Sequence, residues 1–306
     1  PARTGECPLF PYPPPFVLIM IPFVWLGSAG MWAWIAGAWV SFAVGTAILP
    51  VHRGVRLAVF LLGSIGWPLI YGVRIGQVVP LLYLIFAIGW RALRQDTTVG
   101  VVAAVGTLIK VQPGLLLVWL LVRRRLRALA AAIVAMVAVT AFAAAIGLNA
   151  WTEFVRTIVQ ISNAVDVPAN LAIGASAYRL GVGLDVANAI QTINTFAIVG
   201  LVAAAARSLP AVPGYLVVIT ATQVLTPIVW SHYALIVLLP TAYFLQYRHW
   251  WALLIPLCQA WMLVAAVPDV VYPLSLYISI GALFVIGRRE VPDRASSRAL
   301  AVRAAR

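Results

Sequence analysis

GQVVPLLYLIFAIGWRALRQDTTVGVVAAVGTLIKVQPGLLLVWLLVRRRLR, residues 76–127, decides how this chain is built. Apolar runs fill most of it. Arginines close two of them, Arg91 and Arg94 after the first and Arg123, Arg124, Arg125 and Arg127 at the end. Arginines in that position are orientation signals for membrane segments, because cytoplasmic loops carry the excess of basic residues. A single helix over Thr98–Val122 would put the two arginine flanks on opposite sides. Two short legs, Thr98–Ile109 and Pro113–Val122, put both on one side. Pro113 favours the break, since it lacks a backbone donor and disfavours helix in the residue before it. The hairpin places Lys110 at its outer tip. Lys110 is the single lysine among 21 basic residues. An ammonium at a bilayer centre costs about 2.5–3.5 kcal/mol on insertion scales. Snorkelling of its stem to the headgroups would offset that cost, and so would a bound phosphate.

The composition agrees with lipid as the solvent. Of 306 residues, 63% are hydrophobic and 9% charged, against roughly 25% charged in a soluble domain. The fold class that follows is all-α, a polytopic integral membrane protein of about 10–11 membrane segments. Net charge is +13, but the arginines end apolar runs and form no soluble basic patch. Nucleic acid is therefore excluded as a partner, and membrane lipids are expected instead. Cys7 and Cys258 give neither a disulfide framework nor metal spacing. The sequence contains no metal-ligand cluster, nucleotide-binding Gly loop or nucleophile elbow, so no metal or other cofactor is implied.

Taken in order, residues 1–15 are a Pro-rich lead-in and Phe16–Leu26 is too short to span alone, so it reads as an interfacial helix followed by a turn over Gly27–Gly30. Apolar runs follow at Met31–Pro50, Leu57–Gly72, Gly76–Trp90, the two hairpin legs, Leu126–Gly147, Val186–Ala206, Val212–Trp230, Tyr233–Gln246, Trp250–Val267 and Leu274–Gly287. This divides the chain into 1–30, a helical domain over 31–287 with a long outer loop at 149–185, and a basic tail, 288–306, expected to be loosely ordered. Loops 51–56, 91–97, 123–127, 207–210 and 247–249, with the tail, hold 16 of the 21 basic residues. Put on the cytoplasmic side, with the C-terminus, they make a strong positive-inside bias. In the outer loop, Trp151, Phe154, Val155 and Ile158 have the spacing of a helix lying flat on the interface.

The polar residues left on the other side are few. Gln112 follows Lys110 and adds an amide. Gly76-Gln77 opens a span on that side, with Arg74 just before it. Gln77 is either solvated at a helix start or aimed at a ligand, and Arg74 either flanks the membrane or joins a phosphate site. Ser231-His232-Tyr233 follows Thr226-Pro227, which marks a broken helix end. Such backbone at membrane depth is tolerated where it is buried in protein or lines a cavity. His232 reads either as a structural residue or as a substrate contact. Asn170 and Arg179, in NLAIGASAYRL, flank a short helix. Arg179 can pair with Asp166 or Asp185, or bind phosphate oxygens.

At these residues the chain resembles glycosyltransferase family 87, the polyprenol-phosphate-sugar-dependent membrane glycosyltransferases of the GT-C superfamily. The matching pieces are Tyr12-Pro13-Pro14, Gly76-Gln77-Val78, Ile109-Lys110-Val111-Gln112-Pro113, Arg123-Arg124-Arg125, Asn170-Leu171-Ala172 with Arg179-Leu180-Gly181, and Thr226 to Tyr233. Asn170-Leu171-Ala172 departs from the Asn-Gln-Ser of some members. The resemblance implies a GT-C-like helical bundle in a bacterial plasma membrane, with its active site on the non-cytoplasmic face. It implies transfer of mannose or a related sugar from a polyprenyl-phosphate donor to a glycolipid or cell-wall glycan acceptor. Lys110, Arg179 and Arg74 are then expected at the donor phosphate, and Gln77, Gln112, Asn170 and His232 at the substrates. GT-C enzymes place a catalytic Asp or Glu in the first outer loop. Residues 1–30 resemble the end of that loop, and Glu6 does not match the acid, which is expected upstream of Pro1. A transporter or flippase of a lipid-linked sugar is the alternative, and would show repeats or two-sided access.

Overall fold

The structure, a computed structural model, describes residues 12–147, 149–161, 164–167, 169–260 and 269–304. The lead-in with Glu6 and Cys7, Asn163 of the outer loop and residues 261–268 lie outside the described residues. The described chain contains no strand, only helices and one isolated β-bridge. A proline in the first turn starts α1 (Pro14–Trp25), where a missing N–H costs nothing. It is followed by α2 (Ser28–Ala47), α3 (Arg53–Ser64), α4 (Trp67–Arg74) and α5 (Val79–Arg91). The region of the quoted stretch continues as α6 (Asp96–Ile109), a 3₁₀ turn at Gln112–Gly114 and α7 (Leu115–Val122). Beyond it lie α8 (Leu126–Ile146), α9 (Asn149–Ile161), α10 (Ile173–Arg179), α11 (Leu184–Ser208) and α12 (Ala211–Leu225). A 3₁₀ segment at Ser231–Val237 leads into α13 (Leu238–Gln246), then α14 (Leu254–Leu257) and α15 (Val271–Ala304). Three of these are long and apolar enough to cross a membrane unaided, over Leu126–Ala144, Leu184–Ser208 and Val271–Arg289.

The hairpin is present. Arg125 donates to Asp96 through Nε at 2.8 Å, so the foot of α6 and the foot of α7 meet. Gly100 makes the first leg possible: a Cβ there would stand 2.2 Å from the Ala128 carbonyl of α8. Close approach through small residues is how helices gain contact where lipid offers no hydrophobic drive.

Four readings need correction. Leu57–Gly72 is not one span. The chain breaks at Gly66, which forms an antiparallel bridge with Ala260 while the Trp67 amide donates to the Gln259 carbonyl at 2.8 Å. Trp250–Val267 is not one either. Over the described residues it is a 3₁₀ turn, the four-residue α14 and the extended Ala260, with Gln259 Nε2 anchored on Ser275 Oγ at 2.7 Å. Two broken segments thus satisfy each other's backbone, which hydropathy alone does not reveal. The turn after α1 is tighter than Gly27–Gly30, since α2 starts at Ser28. The tail is helical to Ala304, in keeping with its alanine and arginine content.

All the basic loops lie on one face, joined by hydrogen bonds. Arg91 reaches the Ile48 carbonyl at 3.3 Å and the His52 amide reaches Gln246 Oε1 at 2.8 Å. Arg123 reaches the Leu209 carbonyl at 2.8 Å and Arg288 reaches Ser208 Oγ at 3.4 Å. With Arg125–Asp96, these contacts connect every loop assigned to the basic side, and the start of the tail, to at least one other.

Candidate active site

On the opposite face, the site is built around the segment 226–233. α12 stops at Leu225 because Pro227 cannot continue it. The freed carbonyls are taken by side chains: Asn194 Nδ2 on Val224 at 3.1 Å, Gln191 Nε2 on Thr226 at 3.3 Å and Asn170 Nδ2 on Pro227 at 2.8 Å. Asn170 is fully buried. Its Oδ1 accepts the Val229 amide at 3.0 Å and the Ala172 amide at 2.9 Å, so one side chain staples the 149–185 loop to the broken segment.

That segment delivers His232 and Tyr233 into the protein. The Lys110 ammonium donates to the Tyr233 phenol oxygen at 2.6 Å and stands 3.8 Å from the ring centroid. Lys110 is 8% exposed, and no described carboxylate pairs with it: the ion pairs among the described residues are Arg125–Asp96 and Arg156–Glu153. A buried ammonium with a phenol as its hydrogen-bond partner is under-compensated, because a phenol carries no full charge. Gln112 also faces the Tyr233 phenol, and its Oε1 has no partner. His232 is 1% exposed, and neither ring nitrogen is hydrogen-bonded. It packs between the rings of Tyr71, at 6.1 Å, and Tyr233, at 4.8 Å, close enough to Lys110 for charge interaction.

Gln77 comes from the turn between α4 and α5. Gly76 takes φ 71°, a left-handed conformation that glycine adopts without steric cost. Its carbonyl accepts the Trp34 indole at 3.0 Å. The Tyr12 phenol donates to Gln77 Oε1 at 2.9 Å, which leaves the Gln77 NH₂ as the available donor. Burial, opposed by the Gln77 contact, pushes the Tyr12 phenol up to about 12, so it stays a donor at neutral pH. Gln77 also ends an apolar cavity of about 150 Å³ between α1 and α2, lined by Ile19, Phe23, Trp34 and Leu81 among others.

The Tyr12 phenol is close enough to Tyr233 for charge interaction, so Gln77, Lys110, Gln112 and His232 gather around the two tyrosines. Arg74 is exposed at the end of α4, one turn beyond Tyr71 on the same helix face, at the rim. Arg179 ends α10, donating to the Asn170 carbonyl and, at 3.3 Å, to Ser176 Oγ, and among the described residues no hydrogen bond or ring contact joins it to Lys110 or Tyr233. It pairs with neither Asp166 nor Asp185. Sequence reading did not nominate Tyr12 or Tyr233, although both stand in the quoted motifs. It also missed Gln191 and Asn194, whose signal is an amide every three residues on an otherwise apolar helix.

A helical membrane protein with a buried cation, an unpartnered imidazole and, reached through Tyr12 and Gln77, an apolar cavity has the makings of a lipid-substrate enzyme. Residues 10–231 match the sequence pattern that defines glycosyltransferase family 87, and the chain belongs to that family. It is a glycosyltransferase of the GT-C superfamily, and the transporter reading falls away. No curated protein and no solved structure matches the chain significantly.

Proposed function

We propose that this glycosyltransferase moves mannose or a related sugar from a polyprenyl-phosphate donor to a glycolipid or cell-wall glycan. The reaction takes place on the non-cytoplasmic face of a bacterial plasma membrane, with the basic face and the C-terminus toward the cytoplasm. The observation that carries this reading is Lys110, a buried ammonium with no carboxylate partner among the described residues, linked through Tyr233 and Tyr12 to Gln77, where an apolar cavity ends. A polyprenyl phosphate has the same two parts, an anion at headgroup level and a chain that stays in hydrocarbon.

In the reaction, the bond from the sugar's anomeric carbon to the phosphate oxygen breaks and a bond to the acceptor oxygen forms. The acceptor's proton goes to a carboxylate acting as base, which the family resemblance puts in the first outer loop. Charge grows on the departing phosphate, and fixed cations are worth most against charge that develops in the transition state. Lys110 serves as the inner cation, with Arg74 at the end of α4 and Arg179 at the end of α10. Gln77, Gln112 and His232 supply hydrogen bonds to phosphate and sugar, and Asn170 holds the loop that closes over them. The test is turnover of a radiolabelled polyprenyl-phosphate sugar by the purified protein in lipid, with wild type beside Lys110→Met. Release of polyprenyl phosphate coupled to acceptor labelling supports the reading. Labelling from a sugar nucleotide with no polyprenyl donor present refutes it.

A further inference from the structure

The basic face carries a second cleft, between α2 and α3, which meet at the turn 48–52. It encloses about 250 Å³. α2 contributes Ala43, Thr46 and Ala47, and α3 contributes Arg53, Arg56, Leu57 and Phe60. Both sets have helical spacing, so each is one face of its helix. The cleft is graded in polarity. Arg53 and Arg56 stand at the turn, and Phe60 lies about 10 Å further along α3. The apolar end is made by Leu57, Phe60 and Ala43.

The two arginines are not equivalent. Arg56 is committed to the turn, with Nε on the Val51 carbonyl at 3.1 Å and a guanidinium NH₂ nitrogen on the Ala47 carbonyl at 2.7 Å. Arg53 has no partner among the described residues. It opens α3, whose first-turn amides have no side-chain cap, so the positive end of the helix dipole points to the same place. The flanks of these helices, Val40 and Val44 on α2 and Leu57 and Leu61 on α3, are exposed apolar surface. In a chain immersed in lipid that surface meets hydrocarbon, so the cleft opens sideways into the bilayer. About 20 Å of α2 separates Ala47 from Trp34 at the candidate active site.

We propose that this cleft binds an anionic phospholipid of the leaflet on the basic side. Its phosphate sits on Arg53 and the start of α3, and one acyl chain lies along Leu57, Phe60 and Ala43. A soluble anion gains nothing from the apolar end and has no aqueous approach through the hydrocarbon-facing flanks. A zwitterionic lipid brings an ammonium against two guanidiniums. An anionic lipid satisfies both ends and is drawn to basic groups at the membrane surface.

Native mass spectrometry tests this, on the whole protein in mild detergent supplied with phosphatidylglycerol or chain-matched phosphatidylcholine. Wild type is expected to retain one phosphatidylglycerol in preference to phosphatidylcholine. Arg53→Gln, an exposed position that leaves the fold intact by thermal melting, lowers that retention about fivefold. Ala43→Phe, which fills the apolar end, lowers it as well. Arg207→Gln, which removes the same charge from the same face outside the cleft, leaves retention unchanged. Equal retention of the two lipids by wild type overturns the proposal, and so do equal losses in Arg53→Gln and Arg207→Gln. Displacement by soluble glycerol phosphate as readily as by phosphatidylglycerol also overturns it, since the site would then be one for a free anion.

Discussion

Lys110 illustrates how a residue can be unfavourable for the fold and still be placed with care. Its ammonium is buried and has one phenol for a hydrogen-bond partner. Replacing a buried charge by an apolar group of similar volume is commonly neutral or stabilising. Lys110→Met is therefore expected to insert normally and to melt at the wild-type temperature or above. Its transfer rate is expected to fall by about two to three powers of ten, the size seen when one group opposing developing charge is removed. Melting of the purified protein and radiolabelled turnover, measured side by side, check both halves. The buried ammonium on Tyr233 already sets aside snorkelling, so a variant that turns over normally would leave Lys110 a structural residue. Tyr233→Phe acts differently. It keeps the ring but strands the ammonium, so it should lower the melting temperature, in line with a penalty of about 1–3 kcal/mol or more for an unpaired buried polar group.

At the scale of elements, the hairpin was legible because charge and proline chemistry agreed: arginines on both flanks and Pro113 between. The structure adds the contact that closes it, Arg125 on Asp96. Cysteines at positions 95 and 124 are accordingly expected to react with an impermeant maleimide from the same side of the membrane. Reaction from opposite sides would mean one continuous helix. The breaks at Gly66 and Ala260 were not legible, because each reads as part of an apolar run and only the partner segment, far away in sequence, satisfies its backbone. The break at Thr226-Pro227 was visible, but its staple was not. The family resemblance implies a substrate contact at Asn170, and the structure engages its amide with three backbone groups. Asn170→Ala would orphan those groups, at about 1–3 kcal/mol for each one left buried and unpaired. The expected result is a clear drop in melting temperature. Asn170→Asp, which keeps the two accepted bonds and loses the donated one, should fall between.

At the scale of the whole molecule, sidedness follows from where the charges gather. Sixteen of 21 basic residues lie in loops and a tail assigned to one side, and hydrogen bonds bring those loops together on one face. Gln77, Lys110, His232 and the outer loop lie at the other. This division was readable because the positive-inside bias depends on counts and survives errors in individual span boundaries. The convergence of Gln77, Lys110, Gln112 and His232 was only partly readable. The sequence marks them as polar residues on one side, but not the two tyrosines, Tyr12 and Tyr233, that hold them together. The orientation can be tested with Cys7 and Cys258 replaced by serine and a single cysteine introduced at Leu180, which is 86% exposed in the outer loop, or at the exposed Arg207. In intact cells a membrane-impermeant thiol reagent should label the Leu180→Cys protein and leave the Arg207→Cys protein untouched. Inside-out vesicles should give the reverse. If the Arg207→Cys protein is labelled in intact cells, Lys110 faces the cytoplasm. The donor would then have to be one available there, and a sugar nucleotide would displace the polyprenyl phosphate as the substrate to test first.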